Sequence, residues 1–219
     1  MIKRIVTPFG GYPIAKIETG LFIKEKEYNF LKSLKIDKLT TNNLPLGNKL
    51  KISKNKNILK LQHLKRLKNG IWKNFKDYVD NVLEIENVFS FCQSWCTIQT
   101  KNSHHPAHAH PNNIFSCVYY AKTNGTHLQF SLYKSKLQDS FFLDYPIKRY
   151  NLFNSKFFTL SLKAGDMVLF PGDLSHESLT NEEDERIIIG ASFFIDGKLG
   201  SDETTNAIDT VNKKNVGYN

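Results

Sequence analysis

The chain has 219 residues, 40 % hydrophobic and 23 % charged, the composition of an ordinary globular protein with enough length for one good core. Its net charge of +9 is uneven: residues 1–90 hold 18 Lys or Arg against 8 Asp or Glu, and residues 91–219 hold 12 against 13. No apolar run approaches the ~20 residues that span a bilayer, which excludes a helical membrane protein. The opening MIKRIVTPFGGYP lacks an apolar stretch of signal-peptide length, so the expected location is cytoplasmic. Gly10, Gly11 and Pro13 open a predicted strand over Ile14–Glu18. Glu25–Leu34 predicts a helix with Tyr28, Leu31 and Leu34 on one face. Thr40–Gly47 reads as loop, and the Lys/Asn-rich Lys49–Lys60 as a polar connection. From Ile58 to Ile85 apolar residues recur at threes and fours, which predicts a long helix with a bend or break at Gly70.

Near residue 90 the pattern changes to strand and turn. Strands are expected over Ser94–Thr100, Ile114–Ala121, Leu128–Leu132, Lys156–Leu162, Met167–Phe170 and Arg186–Phe194. Asn124–Gly125 and Ala164–Gly165–Asp166 supply turns. Many short strands separated by turns suggest a sandwich or barrel. Residues 196–219 are polar and Asn-rich and read as a C-terminal tail. Cys92, Cys96 and Cys117 are odd in number and sit in apolar surroundings, which favours core packing over disulfides or a metal motif. The basic N-terminal half lacks aromatics interleaved with arginines, so it reads as a solvated lysine surface and argues against a nucleic-acid partner.

Five of the seven histidines bear on chemistry. His104, His105, His108 and His110 precede a strand, and His176 follows the strand MVLFP. Residues at i and i+2 of an extended segment face one side, so His108 and His110 can reach one ion, with His176 closing a facial set. Non-haem iron oxygenases use such a set, commonly two histidines and a carboxylate. Ten residues after His176, Arg186 heads an apolar strand, where burial needs an anion. A guanidinium holds a carboxylate with two parallel hydrogen bonds. 2-Oxoglutarate could chelate iron through its 2-oxo acid and meet Arg186 with its far carboxylate. The alternative is a local pair with Glu182, Glu183, Asp184 or Glu185.

The stretches HAHPNNIFSCVYYAKTNGTHLQF and AGDMVLFPGDLSHESLTNEEDERIIIGASFF resemble the 2-oxoglutarate/iron(II) oxygenase superfamily. CVYYAKTNGTHLQF is similar to prolyl hydroxylases. HAHPNN and the His176–Arg186 spacing are similar to aspartyl/asparaginyl β-hydroxylases. The H-x-H-P before an S-x-V-Y-Y strand looks closest to small oxygenases of bacteria and phages. The resemblance is specific over about residues 90–195. It implies a mainly β fold with α, a double-stranded β-helix (cupin-like jelly roll) with N-terminal helices packed outside. It divides the chain into a helical and strand region over 1–90, a catalytic core over 91–195 and a tail over 196–219.

The same resemblance implies iron(II) held by His108 and His176, 2-oxoglutarate held by Arg186 and Tyr120, and dioxygen as the oxidant. The reaction would couple oxidative decarboxylation to succinate with hydroxylation of a peptide or protein side chain, or of a small molecule. For Tyr120 the alternative is core packing; Tyr119 would point to the opposite side of the strand. His110 departs from the pattern, which has Asp or Glu there, or glycine in the β-hydroxylases. It is either a third neutral ligand or a hydrogen-bonding residue. His104 and His105 read as entrance-loop residues. Two other readings use the same residues differently: a three-histidine zinc hydrolase or cosubstrate-independent dioxygenase on a cupin barrel, and a non-catalytic basic binding module.

Overall fold

The computed structural model describes residues 3–37, 48, 50–132, 146–200 and 208–210; the loop expected over Thr40–Gly47 lies outside them. A hairpin opens the chain, β1 (Lys3–Phe9) and β2 (Tyr12–Glu18). Its two-residue turn, Gly10–Gly11, has positive φ at both positions, the geometry that matches strand twist and that glycine adopts without strain. β1 escapes the alternation pattern. It carries Pro8, tolerated because β1 is the edge strand of its sheet.

Helix α1 (Glu25–Ser33) follows, then the short strand β3 (Lys51–Ile52) and helix α2 (Lys65–Tyr78). The long helix expected over Ile58–Ile85 is thus shorter. Ile58–Lys60 and Gln62–Leu64 form two 3-10 turns around an extended Leu61, and Val79–Leu83 is a π-turn. Gly70 does not break α2; the side chain of Leu21 lies against it. Leu67, Ile71, Phe75 and Tyr78 form the buried face of α2. Phe75 stacks on Phe193 with ring centroids 3.7 Å apart.

The remaining strands are β4 (Val88–Thr100), β5 (His105–His108), β6 (Phe115–Lys122), β7 (Thr126–Ser131), β8 (Phe157–Leu162), β9 (Asp166–Pro171), β10 (Ser175–Ser178), β11 (Glu185–Asp196), β12 (Lys198–Leu199) and β13 (Ile208–Asp209). Seven form a major sheet in the order β1-β2-β9-β6-β11-β4-β3, and four form a minor sheet, β5-β10-β7-β8. The pairing is antiparallel throughout both. This is the jelly roll of a double-stranded β-helix with helices on its outer face. The boundary expected at residue 90 falls inside β4, and β1, β2 and β3 join the major sheet, so the first 90 residues supply strands as well as the outer helices. The expected tail starts with the end of β11, and β12 pairs with β13.

Alternation along the major strands sorts two cores. Tyr119, Met167, Leu169, Ile187 and Ile189 pack with Leu67, Ile71 and Phe75 on the helical side. Tyr120, Val168, Phe170 and Ile188 face the other way and pack with Leu128, Phe130 and Leu162 from the minor sheet. Cys96 and Cys117 are buried, as expected, and burial pushes the Cys96 thiol up to about 12; Cys92 is half-buried. Among the described residues no helix is long and apolar enough to cross a membrane.

Candidate metal and cosubstrate site

The inner face of the major sheet is a ladder of cross-strand rungs. Gly190 sits between Trp95 and Val118, Ile188 between Thr97 and Tyr120, and Arg186 opposite Gln99. Residues two apart on a strand share a face, so this whole set looks towards the minor sheet. The first two rungs line a small cavity. Its other wall comes from His105, His108, His110, Leu128, His176 and Ser178.

Three of those histidines converge. His108 ends β5 and is the cross-strand partner of His176 in β10. His110 lies just past β5, tied by its backbone N–H to Gly172 O at 2.9 Å. Ring centroids are 4.4 Å apart for His108–His176, 4.9 Å for His108–His110 and 5.1 Å for His110–His176. One nitrogen from each ring lies within 4.8 Å of the other two, close enough to share an ion. Among the described residues this is the one group of three or more potential ligands so arranged.

Electrostatics favours the metal-binding form. Burial holds His108 below the usual imidazole range, against a hydrogen bond to Pro106 that works the other way. Burial, and then the neighbouring His108, brings His110 to about 4. Burial puts His176 well below the ordinary value, with His108 and His110 adding to it. The rings are therefore neutral near pH 7, with lone pairs available. Nδ1 of His108 is 2.7 Å from the Pro106 carbonyl, and Nδ1 of His176 is 3.1 Å from the Leu174 carbonyl. A carbonyl only accepts, so each Nδ1 carries the hydrogen and each Nε2 is left as the donor to a metal.

His105 is not an entrance-loop residue. It lies in β5, lines the cavity, and its ring is 4.1 Å from that of His108. Residues three apart on a regular strand face opposite ways. Here the register shifts between the His176–His108 and Ser178–His105 pairs, which turns both rings inward.

Arg186 is 2 % exposed. Its Nη1 donates to Gln99 Oε1 at 2.9 Å and to Leu179 O at 3.3 Å, while its Nε meets no acceptor. Two of the four local acids make their hydrogen bonds elsewhere, although Glu183 still acts on the guanidinium through space. Glu185 accepts from Tyr28, Lys32 and Lys122, and Glu183 from Thr123 and the Asn124 N–H. Tyr120 is fully buried, and its hydroxyl also has no partner; burial pushes its pKa up, Arg186 pulling the other way. Tyr119 points to the opposite face, as expected, and its hydroxyl donates to Leu21 O. Two unsatisfied donors buried on adjacent rungs fit a missing anionic acceptor. Among the site residues, Gln99, Trp95 and Ser178 escape sequence reasoning, because only the strand register brings them to the histidines.

The fold and the histidine group define a jelly-roll protein in which three ring nitrogens are placed so that they could hold a metal ion. Residues 93–193 match the model of a family described as "Putative 2OG-Fe(II) oxygenase". Over these residues, a little under half of the chain, it is similar to the 2-oxoglutarate/iron(II) oxygenases, and the three-histidine group fits an iron ion. No curated protein matches the sequence. Among solved structures it is similar to the non-heme alpha-ketoglutarate-dependent epimerase SnoN from nogalamycin biosynthesis (TM-score 0.56, 12 % identity, covering 88 % of this chain and 82 % of that one). It is also similar to HygX from Streptomyces hygroscopicus with nickel, 2-oxoglutarate and hygromycin B bound (TM-score 0.51, 11 % identity, 84 % and 82 %). A third is a prolyl hydroxylase from Trichoplax adhaerens in complex with a hypoxia inducible factor peptide (TM-score 0.51, 12 % identity, 78 % and 75 %). At these identities the likeness is one of fold.

Proposed function

We propose that His108, His110 and His176 hold iron(II), that Arg186 and Tyr120 bind the far carboxylate of 2-oxoglutarate, and that the protein oxygenates a C–H bond of an organic substrate. The observation that carries this reading is a pair of buried, unsatisfied donors on adjacent rungs: Tyr120 Oη, whose residue lines the cavity that holds the three-histidine group, and Arg186 Nε on the next rung. When bound, iron and 2-oxoglutarate supply dioxygen activation coupled to decarboxylation of the cosubstrate to succinate. The chain's own part is placement. Arg186 and Tyr120 fix one end of the cosubstrate, the histidines fix the other through the metal, and Trp95, Leu128 and Ile188 keep the cavity apolar. A zinc hydrolase or a cosubstrate-independent dioxygenase needs no buried dicarboxylate pocket, which is why Arg186 and Tyr120 favour the oxygenase.

His110 stands where an acid is usual, so the ligand set is neutral and the metal keeps its full double charge. The substrate class we propose is a peptide or protein side chain, with a small molecule as the second reading. The fold supports both, since the Trichoplax protein holds a peptide and HygX holds hygromycin B. The test is anaerobic titration of the iron(II) form with 2-oxoglutarate. A weak visible charge-transfer band should appear only when both are present, and admitting dioxygen should release succinate. Failure of calorimetry and absorption to detect 2-oxoglutarate on the iron form rejects the oxygenase reading.

A further inference from the structure

Gln99 is fully buried and is the cross-strand partner of Arg186. Arg186 has only donors, so the amide oxygen of Gln99 must face it, at 2.9 Å. The amide nitrogen then faces Ser178 and donates to its Oγ at 2.5 Å. Ser178 Oγ also accepts the backbone N–H of His105 at 2.9 Å. The Gln99 backbone carbonyl is fixed in turn by Asn181 Nδ2 at 3.0 Å. One side chain therefore ties the arginine of the major sheet to both histidine-bearing strands of the minor sheet. The acceptors of Arg186 in this arrangement, an amide and a backbone carbonyl, are both neutral. A glutamate has the same length and would make a buried ion pair, the usual way to settle a buried arginine.

We propose that Gln99 is a positioning residue that clamps Arg186 without neutralising it, and so keeps its positive charge for the far carboxylate of 2-oxoglutarate. The proposal rests on the assignment of Arg186 to that carboxylate. A carboxylate at position 99 would compete with the cosubstrate for the guanidinium from inside the protein. A merely structural glutamine would have no such sign: an acid in its place would leave the choice of cosubstrate alone.

The test compares binding of 2-oxoglutarate and of 2-oxovalerate, which has the same carbon chain without the far carboxylate, to the full chain loaded anaerobically with iron(II). The wild-type protein should prefer 2-oxoglutarate by about tenfold to a hundredfold, the worth of a charge-assisted hydrogen bond. Gln99→Glu should bring that preference close to one while melting no lower than wild type, since the buried arginine gains a partner. Gln99→Met keeps the length and removes the clamp without adding charge. Its preference should fall between the two, and it keeps the comparison usable if the glutamate variant does not fold. Wild-type preference retained in the folded variants overturns the role of Gln99 alone. A wild-type protein that binds iron but shows no preference overturns the assignment of Arg186 and the proposal with it.

Discussion

His108 and His176 are direct cross-strand partners, and their rings lie 4.4 Å apart with Nδ1 of each bonded to a local carbonyl. Backbone pairing, rather than loop conformation, sets their separation, so the two Nε2 atoms are aimed before any ion arrives. Replacing either by Ala should abolish iron(II) binding, read by anaerobic calorimetry, because two ligands on one side cannot hold a facial site. His110→Ala should weaken binding by more than the roughly 10–100-fold that follows loss of a ligand's outer partner. His110→Asp should keep or improve it by restoring the common triad. Unchanged affinity in His110→Ala removes His110 from the ligand set.

Arg186 separates oxygenase chemistry from other metal chemistry. Arg186→Lys keeps the charge and loses the two-pronged geometry. It should cost about 1.5–3 kcal/mol, roughly tenfold to a hundredfold in 2-oxoglutarate affinity, with iron affinity almost unchanged. Arg186→Ala should cost more. Lower melting temperature in both variants with cosubstrate affinity intact would return Arg186 to a structural role.

Tyr120 should behave with opposite signs in two measurements. Its hydroxyl is buried without a partner. Such a group costs free energy in the protein without cosubstrate, on the order of 1–3 kcal/mol. Tyr120→Phe should therefore raise the melting temperature of the protein alone and weaken 2-oxoglutarate binding. A variant that melts lower and binds normally would make Tyr120 a packing residue.

Tyr120 also marks how far sequence reaches into this site. The strand Ile114–Ala121 is evident from its β-branched and aromatic residues, and a period of two is enough to send Tyr119 to the helical core and Tyr120 inward. His108, His110 and His176 stand out by their clustering and spacing around strands, and Arg186 because a charge is costly at the head of an apolar strand. The strands that carry His108 and His176 do not stand out: HPAH and SHES are four residues each and have no apolar–polar alternation in sequence. Gln99 and Trp95 are invisible for another reason. Nothing local to either residue encodes that β11 places Arg186 and Gly190 opposite them. The stretch Ile58–Leu64 has helical spacing yet forms 3-10 turns, where the N–H of Leu59 donates to Ser94 Oγ of β4, a tertiary bond that spacing does not record.

Glu185, next to Arg186, links α1 to the head of β11. Burial alone would raise its pKa, but hydrogen bonds from Lys32, Tyr28 and Lys122 outweigh this and bring it to about 2. A carboxyl depressed in the folded state stabilises above its unfolded pKa of about 4.3 and loses that contribution as pH falls through the folded value. Glu185→Gln should thus melt below wild type at pH 7. The gap should narrow between about pH 4.3 and 2 and close below that. A gap independent of pH over this window would mean that shape, not charge, is what Glu185 provides.

Gly190 is the position where the cavity beside the histidines depends on a missing side chain. A Cβ there would collide with the Trp95 indole, which lies across the strand and whose ring centroid is 5.2 Å from that of His110. Gly190→Ala must push the indole aside, and the direction open to it is the cavity that Trp95 already lines. Overpacking of this kind costs about 1–3 kcal/mol. The variant should melt lower, bind iron(II) more weakly through displacement of His110, and show altered near-ultraviolet dichroism. Both residues touch, so their effects should couple. In a Trp95→Ala background the same glycine substitution should cost almost nothing, because the space that the Cβ needs is already empty. Equal destabilisation in the two backgrounds would show that Gly190 is required by the strand itself, and that Trp95 is not what fills the space above it.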